Sequence, residues 1–202
     1  KGEKVFVQLK SNDLRLGSDR IEGYLTGINS FDGSTSLAFG PSNLTISCQN
    51  KFFAAFKELD TKVRHTKNMT IRIDEICRSL EMVLVEEQKV FDNIVRLSET
   101  RFDDVIKDRI TKHLFNIKKE VDLNDVDSIS GKTRNSLTRF NMDLESELKD
   151  KGGDNMWALF SGVTFYSTHS MTKDKERNTK NKMFGVYGKR EKEIFAYLVE
   201  LT

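Results

Sequence analysis

A cluster of basic side chains near the carboxyl end of the chain is well suited to contact phosphate. Residues 173–182 contain five basic and two acidic side chains, and two more cations follow at 189 and 190. Such clusters attract nucleic acid through counterion release, an attraction that carries little sequence information. The predicted contacts are Lys173, Lys175, Arg177, Lys180, Lys182, Lys189 and Arg190. An ordinary solvated loop is the alternative interpretation.

A smaller basic cluster lies at residues 64–68. Arg64, His65 and Lys67 combine two cations with an imidazole next to a predicted helix N-terminus. Helix N-termini bind anions, so these three residues are predicted to contact nucleic-acid phosphate. The alternative is a connection whose histidine is hydrogen bonded for structural reasons.

Residues 154–169 hold the only tryptophan of the chain within an apolar run. At helical spacing they form two faces. One carries Trp157, Ser161, Thr164, Phe165 and Thr168, and the other carries Leu159, Val163 and Tyr166. A helix of this kind is either buried all round or lines a pocket. As a binding residue, Trp157 or the distant Phe31 would stack on bases.

Catalytic chemistry has weaker support. His169, one turn after Tyr166, could act as a general acid or base, but no nucleophile motif accompanies it. Cys48 and Cys77 lack metal-ligand spacing and are interpreted as free thiols. The sequence therefore predicts no catalytic residue, no metal and no cofactor.

The elements that must position these residues change in type along the chain. Residues 4–50 show strand patterns, with strands at 5–10, 24–29, 36–39 and 44–48. Asp32–Gly33 predicts a tight hairpin turn, and residues 40–43 a second turn. From residue 51 to about 115 the spacing is helical, with a break near Ser98–Arg101.

The carboxyl-terminal half continues this helical pattern. Residues 122–132 are predicted as a loop, and helices at 135–149, 154–169 and 190–201, with residues 171–182 as a hydrophilic loop. Asp154 is the predicted N-cap of the Trp157 helix. The prediction is a single α+β domain over 1–202, in which a protruding helical hairpin (69–115) and C-terminal helices follow an N-terminal antiparallel sheet, the helices packing on it.

Bulk composition restricts the class of protein. The net charge is only +2, so any basic surface must be local. No apolar run approaches the roughly 20 residues of a membrane span. A cytoplasmic location is expected, and because the chain starts without methionine almost directly in a strand, we expect the native protein to extend upstream.

Four short segments, in order, resemble a known family. They are Ser-Phe-Asp-Gly-Ser at 30–34, Cys-Gln-Asn at 48–50, Arg-His-Thr at 64–66, and the stretch from Asn155 to His169. Together they resemble the phage/plasmid-like protein family, a domain of unknown function found in phages, prophages and conjugative plasmids. Polar family positions are replaced here by Phe31, Gln49, Ser161 and Phe165. The resemblance implies a mobile-element setting in a bacterial host and no established reaction.

Three functional hypotheses follow. The first is a nucleic-acid-binding accessory protein that binds or anneals single-stranded DNA in replication or recombination, acting as a homo-oligomer. The second is a non-catalytic protein that binds or inhibits a host protein through the 69–115 arm, with Ile76, Leu80 and Val83 in its seam. The third, an enzyme using His65 or His169, ranks last.

Overall fold

The computed structural model describes residues 4–16, 19–32, 36–42, 61–63, 85, 88–125, 127–174, 177–178, 181 and 185–202. The chain divides into two compact units, residues 1–92 and 93–202. Each unit is described by itself below. The single domain over 1–202 and the packing of helices on the sheet stay predictions.

The described part of the N-terminal unit contains an antiparallel sheet, followed by the helical residues 85 and 88–92. Its strands follow one another in space in the order of the sequence. They are β1 (Lys4–Leu16), β2 (Asp19–Ser30), β3 (Leu37–Ser42) and β4 (Thr61–Val63). The predicted α+β class with an N-terminal antiparallel sheet and hairpin is confirmed.

The hairpin of β1 and β2 is longer than the sequence pattern predicts. Its strands pair from Lys4 opposite Ser30 to Leu16 opposite Asp19, with a register shift between Lys10 and Asp13. Only residues 17 and 18, a Gly-Ser pair outside the described residues, separate the strands. Gly-Ser between two strand-like runs is itself a hairpin signal, and the sequence analysis missed it.

The hairpin of β2 and β3 confirms the predicted pairing. β2 ends at Ser30 and β3 begins at Leu37, each within one residue of the predicted strand end. Gly33 lies outside the described residues, so the tight turn at Asp32–Gly33 stays a prediction. Residues 40–42 do not form the predicted turn. They belong to β3, which continues to Ser42 with Pro41 opposite Leu25. Among the described residues, β4 pairs with Leu37–Phe39, so Pro41 lies outside this part of the ladder.

Other strand and helix predictions in this unit have mixed outcomes. Residues 61–63 form β4, so the helical pattern predicted from residue 51 is wrong at this point. The predicted strand at 44–48 and both cysteines lie outside the described residues. One face of the sheet is buried through Thr26, Ile28, Ser30 and Ala38.

Helices form the C-terminal unit. They are α1 (residues 88–99, of which 93–99 belong to this unit), α2 (Asp104–Phe115), α3 (Gly131–Asp150), α4 (Met156–Phe165) and α5 (Val186–Glu200). The predicted break near Ser98–Arg101 is confirmed, since Asp103 caps α2 by accepting from the Ile106 amide at 2.8 Å. Residues 69–84 lie outside the described residues, so the interaction arm stays a prediction.

The core of this unit collects one face from each helix. Its fully buried members are Leu97, Ile110, Leu114, Phe140, Leu144, Met156, Leu159, Val163, Tyr166, Ile194 and Leu198. Phe140 and Tyr166 meet edge to face at 5.9 Å, and Phe115 contacts both rings. The predicted inward faces of α3 and α5 are confirmed except at Leu201, which is 42% exposed because α5 ends at Glu200.

α4 begins one residue later than predicted. Its N-cap is Asn155, whose side chain accepts from the Ala158 amide at 2.8 Å and donates to the Lys151 carbonyl. The prediction that Asp154 is the N-cap is wrong. The backbone carbonyl of Asp154 instead accepts from the Phe102 amide, in the connection between α1 and α2. Beyond Phe165 the helix widens into a π-helical turn, Tyr166–Ser170.

Among the described residues, no helix is both long enough and apolar enough to cross a bilayer.

Charged side chains link β1 and β2 at the register shift. Arg20 pairs with Asp13 at 2.7 Å, and Lys10 with Glu22 at 3.0 Å. The hydrogen bond from Arg20 lowers the pKa of Asp13, because it favours the ionised carboxylate. The Tyr24 hydroxyl, followed by Lys10, lowers the pKa of Glu22 in the same way.

We expect this network to make the hairpin acid-sensitive. A carboxyl whose folded pKa is depressed contributes stability above its unfolded pKa, and that contribution disappears as the pH falls through the folded value. Asp13→Asn should therefore lower the urea midpoint at neutral pH, and the difference from wild type should shrink once the pH drops below 3.8. A difference that stays constant down to strongly acidic pH would contradict the assignment.

A second prediction concerns the contact of α4 with α3. A Cβ added to Gly162 would lie 2.9 Å from Leu144 Cδ1 and 3.1 Å from Leu144 Cα. Overpacking costs about 1–3 kcal/mol, which outweighs the ~1 kcal/mol helix preference for alanine. Gly162→Ala should therefore lower the Tm by several degrees.

Gly131→Ala is the matched control, because nothing lies within 4 Å of the added methyl group. This variant should match or slightly exceed wild-type stability. Equal melting temperatures for the two variants would show that α3 and α4 are not in tight contact at Gly162.

Candidate nucleic-acid interface

Within the basic cluster at 173–182, the structure describes residues 173, 174, 177, 178 and 181. Residues 177, 178 and 181 are helical, and Asn178 is completely buried. The Asn178 side chain donates to the Thr172 carbonyl at 3.0 Å, while the Arg177 amide donates to the Asp174 carboxylate. The predicted hydrophilic loop is therefore corrected at these positions.

Only some of the predicted contact residues of this cluster lie within the described part of the chain. Lys173 and Arg177 are exposed. The other members of the two basic clusters lie outside the described residues, namely Lys175, Lys180, Lys182, Arg64, His65 and Lys67. The role predicted for these six residues stays a prediction.

Trp157 is part of the helical core. It is half-buried, packs against the buried cluster, and its ring centroid lies 6.0 Å from that of Phe160. Phe31 is 76% exposed in the N-terminal unit. Of the two alternatives for the Trp157 helix, burial on most sides is the one observed, since Ser161 and Gly162 are buried as well as Leu159 and Val163.

His169 and Tyr166 differ in their surroundings. His169 is exposed and packs against the ring of Phe165, 4.7 Å away. Tyr166 is buried, and this burial raises its pKa despite a hydrogen bond with Ser136. A raised phenol pKa makes Tyr166 a poor base near neutral pH. Among the described residues, no group of three or more His, Cys, Asp or Glu side chains could hold a metal ion.

Lys189 and Arg190 lie in a groove between α2 and α5. The two helices run antiparallel, because Arg109 contacts Tyr197, His113 contacts Glu193, and Arg190 contacts the Leu114 carbonyl in reverse order. The sequence thus identified one side of this groove and missed the other. We call this surface the α2–α5 groove.

The α2–α5 groove has two adjoining halves. The larger, of about 510 Å³, has apolar walls that include Ile110, Ile117 and Ile194. The smaller, of about 240 Å³, is more polar and is lined by Asn116, Val186, Lys189 and Arg190 among others. Across both halves the basic side chains are Arg109, Lys112, His113, Lys119, Lys189 and Arg190, and the acidic ones are Asp108 and Glu193.

The two carboxylates compensate part of this charge. Asp108 pairs with Lys112 at 2.7 Å. Glu193 bridges the groove, with one oxygen 2.9 Å from His113 Nε2 and the other 3.6 Å from Lys189 Nζ. His113 and Glu193 line both halves of the groove, so their contact lies at the boundary between the two halves.

Arg190 has a structural partner. Its guanidinium donates to the Leu114 carbonyl at 2.8 Å, one of the carbonyls that the end of α2 leaves without a helical partner. Its Cζ lies 5.6 Å from the ring centroid of Tyr187, whose pKa is raised by burial. Arg190 therefore fixes α5 to the end of α2 as well as adding charge to the groove.

The residues missed on α2 had a recognisable signal. Arg109, Lys112, His113 and Asn116 recur at helical spacing, which places them on one face. A comparable stripe on α5 carries Lys189, Glu193 and Tyr197. Such charges are not consecutive in the sequence, so a run of basic residues does not reveal them.

Comparison with known proteins gives one match. The model of a family described as "Domain of unknown function (DUF932)" matches residues 1–185. No curated protein and no solved structure matches the chain. The family description names no reaction, ligand or partner, so the site must be interpreted from its own chemistry.

The contacts of Arg190 predict a structural role that its neighbour lacks. Arg190→Ala removes the donor to the Leu114 carbonyl and should cost about 1–2 kcal/mol of unfolding free energy. Lys189 is 78% exposed with only a long ion pair, so Lys189→Ala should change it by less than about 0.5 kcal/mol. Urea titration of both variants measures the difference, and equal midpoints would contradict the assignment.

Proposed function

The chain belongs to the DUF932 family, a domain of unknown function, and from that premise we propose that it binds single-stranded DNA in the α2–α5 groove. The observation that carries this proposal is the charge of the groove. Six basic side chains line it against two carboxylates, in a protein whose net charge is only +2. Such local concentration of cations is the electrostatic footprint of a phosphate-binding surface.

The dimensions of the groove support a short contact. From Arg109 to Asn116, α2 advances about 10 Å, at 1.5 Å per residue. The spacing of about 3.4 Å per phosphate is that of one strand in a duplex, and the phosphates of an unstacked strand lie farther apart, so this length accommodates roughly two to three phosphates. Binding by one chain is then modest, with an expected slope of log affinity against log salt of about −1.4 to −2, at 0.7 per phosphate on a single strand.

The apolar walls favour a single strand over a duplex. Val105, Ile117 and Tyr197 offer carbon surface between the cations, and the buried Ile110 and Ile194 lie beneath it. The faces of unpaired bases are available to such a surface, whereas those of a duplex are stacked on one another. A groove that combines cations with apolar walls therefore suits unpaired nucleotides.

The biological setting is part of the same proposal. The resemblance of residues 30–34, 48–50, 64–66 and 155–169 to the phage/plasmid-like family supports a role as an accessory protein in replication or recombination of a mobile element. A homo-oligomer acting in the bacterial cytoplasm would extend the short groove of one chain along the strand. Repeated grooves would raise the total affinity.

The test is binding of a short fluorescent single strand, followed by anisotropy between about 50 and 200 mM salt. Lys119→Glu combined with Lys189→Glu should weaken binding at low salt and flatten the slope by about 1.4, because two phosphate contacts are lost. Lys132→Glu with Lys149→Glu on α3 changes the net charge equally, away from the groove, and should leave the slope unchanged.

Two results would remove the proposal. One is the absence of binding at the lowest salt, and the other is an equal loss in the groove and α3 variants. A further variant with Lys175, Arg177, Lys180 and Lys182 changed to Gln measures what the predicted cluster at 173–182 adds.

A further inference from the structure

The contact between Arg109 and Tyr197 gives the α2–α5 groove a feature that charge alone does not require. The guanidinium carbon of Arg109 lies over the ring of Tyr197, 4.2 Å from its centroid. Arg109 comes from α2 and Tyr197 from α5, and both line the larger half of the groove. This stack joins the two walls.

Tyr197 and Arg109 differ in how tightly their surroundings hold the side chain. Tyr197 is half-buried and packs against the core cluster, so its ring has a fixed position. Arg109 is exposed, and its guanidinium carbon lies over that ring. A guanidinium that stacks on an aromatic ring with one face can stack on a nucleic-acid base with the other.

The larger half of the groove has room for such a base. Its volume of about 510 Å³ lies within the range of small-molecule pockets, and its walls combine the apolar surface of Val105, Ile117 and Tyr197 with cations. A flat aromatic ring with a phosphate attached matches that combination.

We infer that an unpaired base stacks on the open face of Arg109, forming a three-layer stack with Tyr197. The inference rests on the proposed function, which it deepens by assigning the preference for single strands to one pair of residues. A duplex has no free base face to offer, so only the surrounding cations would contact it. The stack provides discrimination, and the other cations provide charge attraction.

The decisive variant is Arg109→Lys, because it keeps the charge and removes the planar group. It should lose about 5- to 150-fold in affinity for a single strand, the effect of one stacked base. Its affinity for a duplex and the salt slope should stay at wild-type values. A strand with abasic positions should bind wild type as weakly as it binds Arg109→Lys.

Tyr197 gives a second, independent measurement. Tyr197→Phe keeps the ring and should retain the preference for single strands, whereas Tyr197→Leu should lose it. Circular dichroism checks that each variant is folded. If Tyr197→Leu does not fold, the comparison of Arg109→Lys with Tyr197→Phe still decides the question.

The outcomes separate this inference from the proposal beneath it. If wild type binds single strands with the expected salt slope, and Arg109→Lys or abasic strands change nothing, the base stack is wrong and the groove proposal stands. Equal wild-type affinity for single strands and duplexes would also overturn the stack. If wild type binds neither nucleic acid at low salt, both fail together.

Discussion

The contact between Gly162 of α4 and Leu144 of α3 is the constraint on which the C-terminal unit depends. A Cβ at 162 would lie 3.1 Å from Leu144 Cα of α3, closer than such atoms usually approach, so this spacing favours glycine. Close approach brings Leu159, Val163 and Tyr166 into complete burial and fixes the depth of α4 in the core. The outer side of α4 then meets α5, where Phe160 and Phe195 lie 5.1 Å apart. The position of α5, and with it one wall of the groove, follows from a contact outside the groove.

α5 contributes side chains to both the core and the α2–α5 groove. Ile194 and Leu198 are buried in the core, while Lys189, Glu193 and Tyr197 face the groove. Its first turns are held to α2 by the hydrogen bond from Arg190 to the Leu114 carbonyl. Side chains on packed helices keep their relative positions better than those on loops. The cations of this groove are therefore preorganised, which reduces the entropy that a bound strand must offset.

The sequence predicted the elements better than their boundaries and contacts. The inward faces of α3 and α5 could be predicted because apolar spacing at 3.6 residues requires burial. The N-cap at Asn155 could not, since neighbouring Asp154 has an equally suitable side chain, and backbone pairing between residues 100–102 and 154–156 decides between them. Of the two walls of the groove, only the one on α5 contains residues that the sequence predicted. Lys189 and Arg190 belonged to a visible basic run, but their facing residues lie some 75 positions earlier, and pairing α2 with α5 needs the tertiary fold.

Charge compensation inside the groove limits what electrostatics can do there. Glu193 contacts both His113 and Lys189, and Asp108 contacts Lys112, so much of the positive charge is already paired. A bound phosphate must compete with these carboxylates, and exposed ion pairs are individually weak enough for such exchange. Attraction of phosphate is thus reversible and poorly selective. Selectivity has to come from a group whose interaction does not depend on net charge, and the planar Arg109 resting on Tyr197 has that property. In the proposed complex, a protein with little overall charge would distinguish unpaired from paired nucleotides by shape.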